Sequence, residues 1–215
     1  MKSDYHEQMT KEFDRQVGNL LQKRYPQVAG VRADEFIKHI QVLRAGIRKI
    51  AAVEKNHKEA SIPFVIVVKN QLMPGEKAIT LVELKNKKGF THMDANEIKA
   101  FSTIEGIKIP NGMAYLLVDV DTGKGSLNIT PNEAIMILKK EKRSPLTIEE
   151  GIALITHHSE ILKNNNCFSM LGSRCGDRRV TALWISGGRP RLGWCWAGNP
   201  HSWLGSASCS RRVGL

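Results

Sequence analysis

The chain has 215 residues, 41% of them apolar and 25% charged, and a formal charge of +11. This balance excludes a disordered chain, and the length suits one domain, or one domain with a substantial extension, able to bury a real core. No apolar run approaches the roughly 20 residues of a membrane span, so no membrane is expected as a partner.

The first residues, Met1 to Glu7, are polar and lack the apolar heart of a signal peptide. The expectation is a cytoplasmic protein whose thiols stay reduced, so the four cysteines are not read as two disulfides. Phe13, Val17, Leu20 and Leu21 recur at helical spacing and predict an amphipathic helix ending near Tyr25 and Pro26. A second helix is predicted from Ala33, with Phe36, Ile40, Leu43, Ile47 and Ile50 as its buried stripe.

Pro63 to Val68 is short, β-branched and continuously apolar, the pattern of a strand buried on both faces. Beyond the turn at Met73 to Gly75, a second strand is predicted from Ala78 to Leu84. Asp94 with Glu97 three residues on predicts a capped helix through Phe101. A third strand is predicted from Ala114 to Val120, ending in the turn Asp121 to Gly125. That turn fails as a phosphate-binding loop, because Val118 and Gly125 stand where Gly and Ser or Thr belong. It fails as a calcium loop because Thr130 occupies the twelfth position. Thr130 to Glu133 and Thr147 to Glu150 are capping boxes, launching helices to about Lys140 and through Leu162. His157 and His158 lie about 100° apart on the second of these, which suits a helix terminus better than one shared metal.

The chain then changes composition. Residues 167–215 hold all four cysteines, all four tryptophans, seven of the thirteen arginines, no lysine and a single acid, Asp177. Arg179 to Ser186 and Leu192 to Ala197 alternate around Gly187 to Pro190, predicting a β-hairpin. Trp184, Trp194 and Trp196 would form one aromatic surface if the register allowed. Arginine forks bind phosphate or carboxylate, and indole faces stack on planar groups. Arg174, Asp177, Arg178, Arg179, Trp194, Cys195, Trp196 and His201 are therefore the candidate ligand-binding residues, with Asp177 orienting an arginine. No catalytic residue and no cofactor can be assigned.

The expected partner is an anionic, partly planar small molecule, nucleotide-like or an acidic metabolite. One alternative is a nucleic-acid-binding module, drawn from the basic charge. Another is a zinc-stabilised or cysteine-dependent enzyme using Cys167, Cys175, Cys195, Cys209 and His201. No close pair of cysteines with knuckle spacing supports zinc, and no metal ligand is assigned. Cys195, on the opposite strand face from both neighbouring indoles, is either a reactive thiol beside an arginine or an inert core residue.

Three strings, Ser144 to Gly151, Leu171 to Arg179 and Leu192 to His201, are long and unusual. Over nearly its whole length the chain resembles an uncharacterised bacterial family of unknown function, mostly actinobacterial and related. The resemblance implies an intact native domain and brings no activity with it. The expected fold is α+β, one compact domain over residues 1–215. It has a mixed or antiparallel sheet, N-terminal and central helices, and the C-terminal hairpin paired with earlier strands.

Overall fold

The longest apolar runs become the centre of the molecule. In the computed structural model, which describes residues 2–53 and 62–214, the N-terminal part is helical. It comprises α1 (Lys2–Gln22), α2 (Tyr25–Ala29), α3 (Ala33–Gln41) and α4 (Arg44–Val53). Strand β1 (Ile62–Val68) follows, then α5 (Gly75–Leu81), the small hairpin β2 (Glu83–Leu84) and β3 (Lys87–Lys88), and β4 (Phe90–Thr91). Next come α6 (Ala95–Ala100), β5 (Ser102–Thr103) and β6 (Ala114–Val120). The second half holds α7 (Pro131–Lys140), β7 (Ser144–Pro145), α8 (Ile148–His157), β8 (Cys167–Met170), β9 (Ser173–Arg174) and the hairpin β10 (Arg179–Ser186) and β11 (Arg189–Trp196). It closes with β12 (Leu204–Ser206), β13 (Ser208–Cys209) and β14 (Arg211–Val213).

The architecture is α+β. One antiparallel sheet runs β1–β6–β14, and a mixed sheet runs β12–β8–β10–β11–β4. Between them lies α8, in contact with both β1 and β10, and nine of its ten residues are buried. A helix buried on nearly every side can exist only in such a position. Its approach to the mixed sheet is very close. A Cβ built on Gly151 would come 2.0 Å from the sulfur of Met170, so a methyl there fits only if the Met170 side chain moves. On the other face of that sheet, Ala134 of α7 packs with Leu171, Val180 and Ala197. The N-terminal helices cover the β1–β6–β14 sheet, with Leu116 against Gly46.

The edge of β1 is finished by side chains instead of a strand. Gln16, fully buried, donates from Nε2 to Phe64 O at 3.1 Å and accepts from Ile66 N at 2.8 Å. His157 Nε2 donates to Ile66 O at 3.1 Å while Nδ1 accepts from Asn19 Nδ2 at 3.2 Å, so the ring is the neutral Nε2–H tautomer. This arrangement covers an edge that would otherwise template further pairing. Burial holds His157 neutral down to about 3.

At the other end of α8 sits a buried ion pair. Glu150, with no exposed surface, receives all the donors that its two oxygens can hold. Oε1 accepts from Tyr115 OH at 2.8 Å and from Arg212 Nε, while Oε2 accepts from Thr147 N at 2.8 Å and Arg212 Nη2 at 2.7 Å. Arg212 also donates to Ser144 Oγ and to Pro145 O, so the last strand, β7 and α8 are tied at one point.

Several expectations need correction. The strand predicted from Ala78 to Leu84 is mostly helix α5. Ala78, Ile79 and Val82 are buried at i, i+1 and i+4 while Thr80 is exposed, which no alternating strand allows. The single helix predicted from Ala33 breaks at Val42 and Leu43 into α3 and α4, though all five stripe residues are buried. The first helix stops at Gln22, and Tyr25 and Pro26 open a separate turn of helix. The helix expected through Leu162 stops at His157, where Asn19 and Arg15 take the carbonyls of Thr156 and His157; a 3₁₀ turn follows. Among the described residues no helix is long and apolar enough to cross a membrane.

Candidate functional site

The hairpin register decides what the tail residues can do. Directly opposed residues of an antiparallel pair share a sheet face. Thr181 opposes Trp194 and Arg179 opposes Trp196, whereas Trp184 opposes Arg191 and Val180 opposes Cys195. Trp184 therefore lies on the opposite face from Trp194 and Trp196, and the single aromatic surface does not form. Trp184 lies instead against Gly193, where an added Cβ would meet its ring at 2.4 Å. The Arg191 guanidinium sits 5.1 Å from that ring.

On the Trp194 face, Arg179 is fully engaged. Its Nε donates to Asp177 Oδ2 at 2.8 Å and its Nη1 to Glu97 Oε1 at 2.7 Å. Its guanidinium lies between Phe101 and Trp194, at 5.5 and 5.3 Å. Trp194 Nε1 donates to the same Glu97 oxygen at 3.1 Å. Asp177, held down at about 2 by the Arg179 backbone N–H and the Cys175 thiol, orients Arg179. The cluster of Asp177, Arg179, Trp194 and Glu97 is thus a brace between the hairpin and α6, with its charge already answered. Arg178 differs: it lies 5.9 Å from the ring of Trp196, which is 44% exposed and stacks edge-on to Trp194 at 5.0 Å.

Arg174, Cys195 and His201 are elsewhere. Cys195 shares its face with Val180, packs beside α7, and has its sulfur 3.7 Å from Ser169 Oγ. Burial pushes its thiol pKa up, against the charge of Arg174. Arg174 Nε and His201 Nε2 are buried without hydrogen-bond partners, and the His201 ring lies 5.3 Å from Trp203. All four cysteines are free, each with its thiol pKa raised by burial, and Cys209 reaches about 12. Among the described residues no three of His, Cys, Asp and Glu come together as metal ligands would.

A cleft of about 560 Å³ opens beside this brace, and none of the eight sequence-chosen residues lines it. Its walls are the loop after β1 with the start of α5, α6 with β5, and the start of α8. Capping explains the last wall: Glu150 takes the Thr147 N–H and Ser173 Oγ takes the Ile148 N–H at 3.0 Å. With Glu150 turned inward, the adjacent Glu149 faces the cleft, because neighbours on a helix point about 100° apart. Its carboxylate accepts from Asn70 N at 3.1 Å, and the oxygen of Tyr115, whose one proton goes to Glu150, lies 3.2 Å from it. Burial raises its pKa, and the charge of Glu150 adds to the rise. Thr147 Oγ1, the N-cap oxygen of α8, is buried there facing the Glu150 N–H. Ser102, Thr103 and Asn96 offer neutral donors and acceptors, Phe101 and Ile98 an apolar wall, and Lys99 is the one cation among the lining residues.

Sequence reasoning missed this cleft. The signal present was the pair Glu149 and Glu150 at the start of a capped helix, of which only one can serve the cap.

No curated protein and no solved structure matches the chain. A family profile described as a family of unknown function (DUF5701) matches residues 19–215, nearly all of the sequence, and the chain belongs to that family.

Proposed function

We propose that the protein binds a small, polar, uncharged or singly cationic molecule in the cleft, with Glu149 as its acid–base group. The observation that carries this reading is a carboxyl of raised pKa lining a cavity of ligand size. The lining residues include two acids, Glu76 and Glu149, against the single Lys99, which disfavours a multiply charged anion. A protonated Glu149 donates a hydrogen bond to the ligand; deprotonated, it accepts one or takes a proton. A cytoplasmic location suits the four free cysteines.

A second reading keeps the anionic, planar ligand on the tail. It is favoured by Arg178 over the exposed Trp196, an open guanidinium–indole pair. Arg179 does not support it, because its charge is answered by Asp177 and Glu97.

Amide-detected NMR titration with a library of polar fragments and acidic metabolites separates the two. The cleft reading expects shifts at Asn70, Ser102, Thr103 and Glu149, at least a tenfold weaker affinity in Glu149→Gln when the ligand needs the carboxylate, and no change in Arg178→Ala. Shifts confined to Arg178, Trp196 and Trp194 would overturn it in favour of the tail.

A further inference from the structure

A second recess, about 660 Å³ in volume, opens between the end of α1, the end of α5 and the β2–β3 hairpin. It shares no residue with the cleft. Lys23, Arg24, Lys85 and Lys88 line it, and Glu83 is the one carboxylate among its lining residues. Lys23 is accounted for by the fold: Nζ donates at 3.2 Å to the carbonyl of Leu81, the last residue of α5, and burial pulls its pKa down. Arg24, Lys85 and Lys88 are not. They are exposed, and among the described residues their side chains form no ion pair. Arg24 and Lys85 also hold left-handed backbones, at φ 59° and 50°, where glycine or asparagine is less costly. Three exposed cations thus line one concavity, Lys88 standing opposite Glu83 across the hairpin.

We propose that this groove binds a small ligand carrying two or more phosphate groups, with Arg24 as the bidentate fork and Lys23, Lys85 and Lys88 as point charges. The chemistry follows from geometry and lining. A guanidinium matches two phosphate oxygens, while ammonium groups follow charge without fixed direction. The volume is that of a small-molecule site. No aromatic ring lines the groove, so it has no platform on which a nucleic-acid base could stack. The ligand is thus recognised by its phosphates.

The test is calorimetric titration of the full chain with tripolyphosphate at near-physiological salt, beside inorganic phosphate and a single-stranded oligonucleotide. Lys85→Asn with Lys88→Gln removes two charges from exposed positions, and Lys139→Gln with Lys140→Gln removes the same charge from the exposed end of α7. The proposal expects saturable tripolyphosphate binding, weakened about tenfold or more in the groove variant and less than twofold in the control. Inorganic phosphate should bind at least about tenfold more weakly than tripolyphosphate. Matching unfolding midpoints confirm that both variants keep the fold. Equal losses in the two variants would reduce the effect to net charge and overturn the proposal. So would undetectable tripolyphosphate binding, or an oligonucleotide that displaces tripolyphosphate from wild type and binds both variants alike.

Discussion

Replacing Arg212 by methionine tests whether the closing strand is held by charge or by packing alone. The arginine side chain is 6% exposed and its partner Glu150 is fully buried, so the lost cation cannot be replaced by water. Two of the four donors on Glu150 disappear, leaving Tyr115 OH and Thr147 N. Ser144 Oγ and Pro145 O lose partners as well. Removing one member of a buried pair costs about 3–5 kcal/mol, because the remaining charge stays desolvated. For a domain of this size that corresponds to a midpoint lower by about 6–20 °C. Methionine retains most of the aliphatic volume, so little of the loss comes from a cavity. Urea unfolding of wild type, Arg212→Met, Glu150→Gln and the double variant gives the coupling directly. The double variant should be more stable than Arg212→Met, since a neutral Gln still caps Thr147 without an unanswered charge. A single variant within 1 kcal/mol of wild type, or a double variant less stable than the single, would refute the reasoning.

Further measurements check other parts of the structure. His157, whose pKa falls from 6.5 to about 3 in the fold, is protonated in the unfolded chain but not in the native one between those values. Stability should therefore be fully present above pH 6.5 and decline by about 1.4 kcal/mol per pH unit as acid is added, a slope that urea midpoints of His157→Gln should lack. Glu149 has the opposite sign, because its folded pKa is raised: its contribution is present below the ordinary carboxylate range and is lost as pH rises through the folded pKa. Glu149→Gln should then be at least as stable as wild type at neutral pH, and a clear loss in thermal unfolding would count against a strained carboxyl. Gly151→Ala should destabilise by about 1–3 kcal/mol through overpacking, partly recovered by shortening Met170 to valine; an unchanged denaturation curve would show that α8 does not sit as close as described. Cys195 should resist alkylation near neutral pH until the protein unfolds, as mass spectrometry of labelled peptides would show; rapid native labelling would restore a reactive thiol.

What the sequence settles by itself is local. Asp94 caps α6 by accepting from Glu97 N, and Thr130 closes its box with Glu133, because capping depends on residues three apart. The short, β-branched apolar runs of β1 and β6 read as buried strands and are, and Gly187 and Gly188, at φ 60° and 74°, turn the hairpin. Tertiary structure decides wherever one pattern fits two partners. Gly75 to Leu84 has β-branched residues suited to a strand, yet its buried residues fall at helical spacing because α6 and α8 supply the surface it packs on. Alternation along β10 and β11 assigns each indole a face of its own strand, but only the register between strands puts Trp184 opposite to Trp194. Composition marks Arg179 as an anion ligand, whereas Glu97, 82 residues away in sequence, has already taken its charge. Glu149 and Glu150 are identical in type and adjacent in the chain. Which becomes a sealed structural ion and which faces a cleft depends on Arg212 arriving from the far end of the sequence, and that long-range meeting has no local signature.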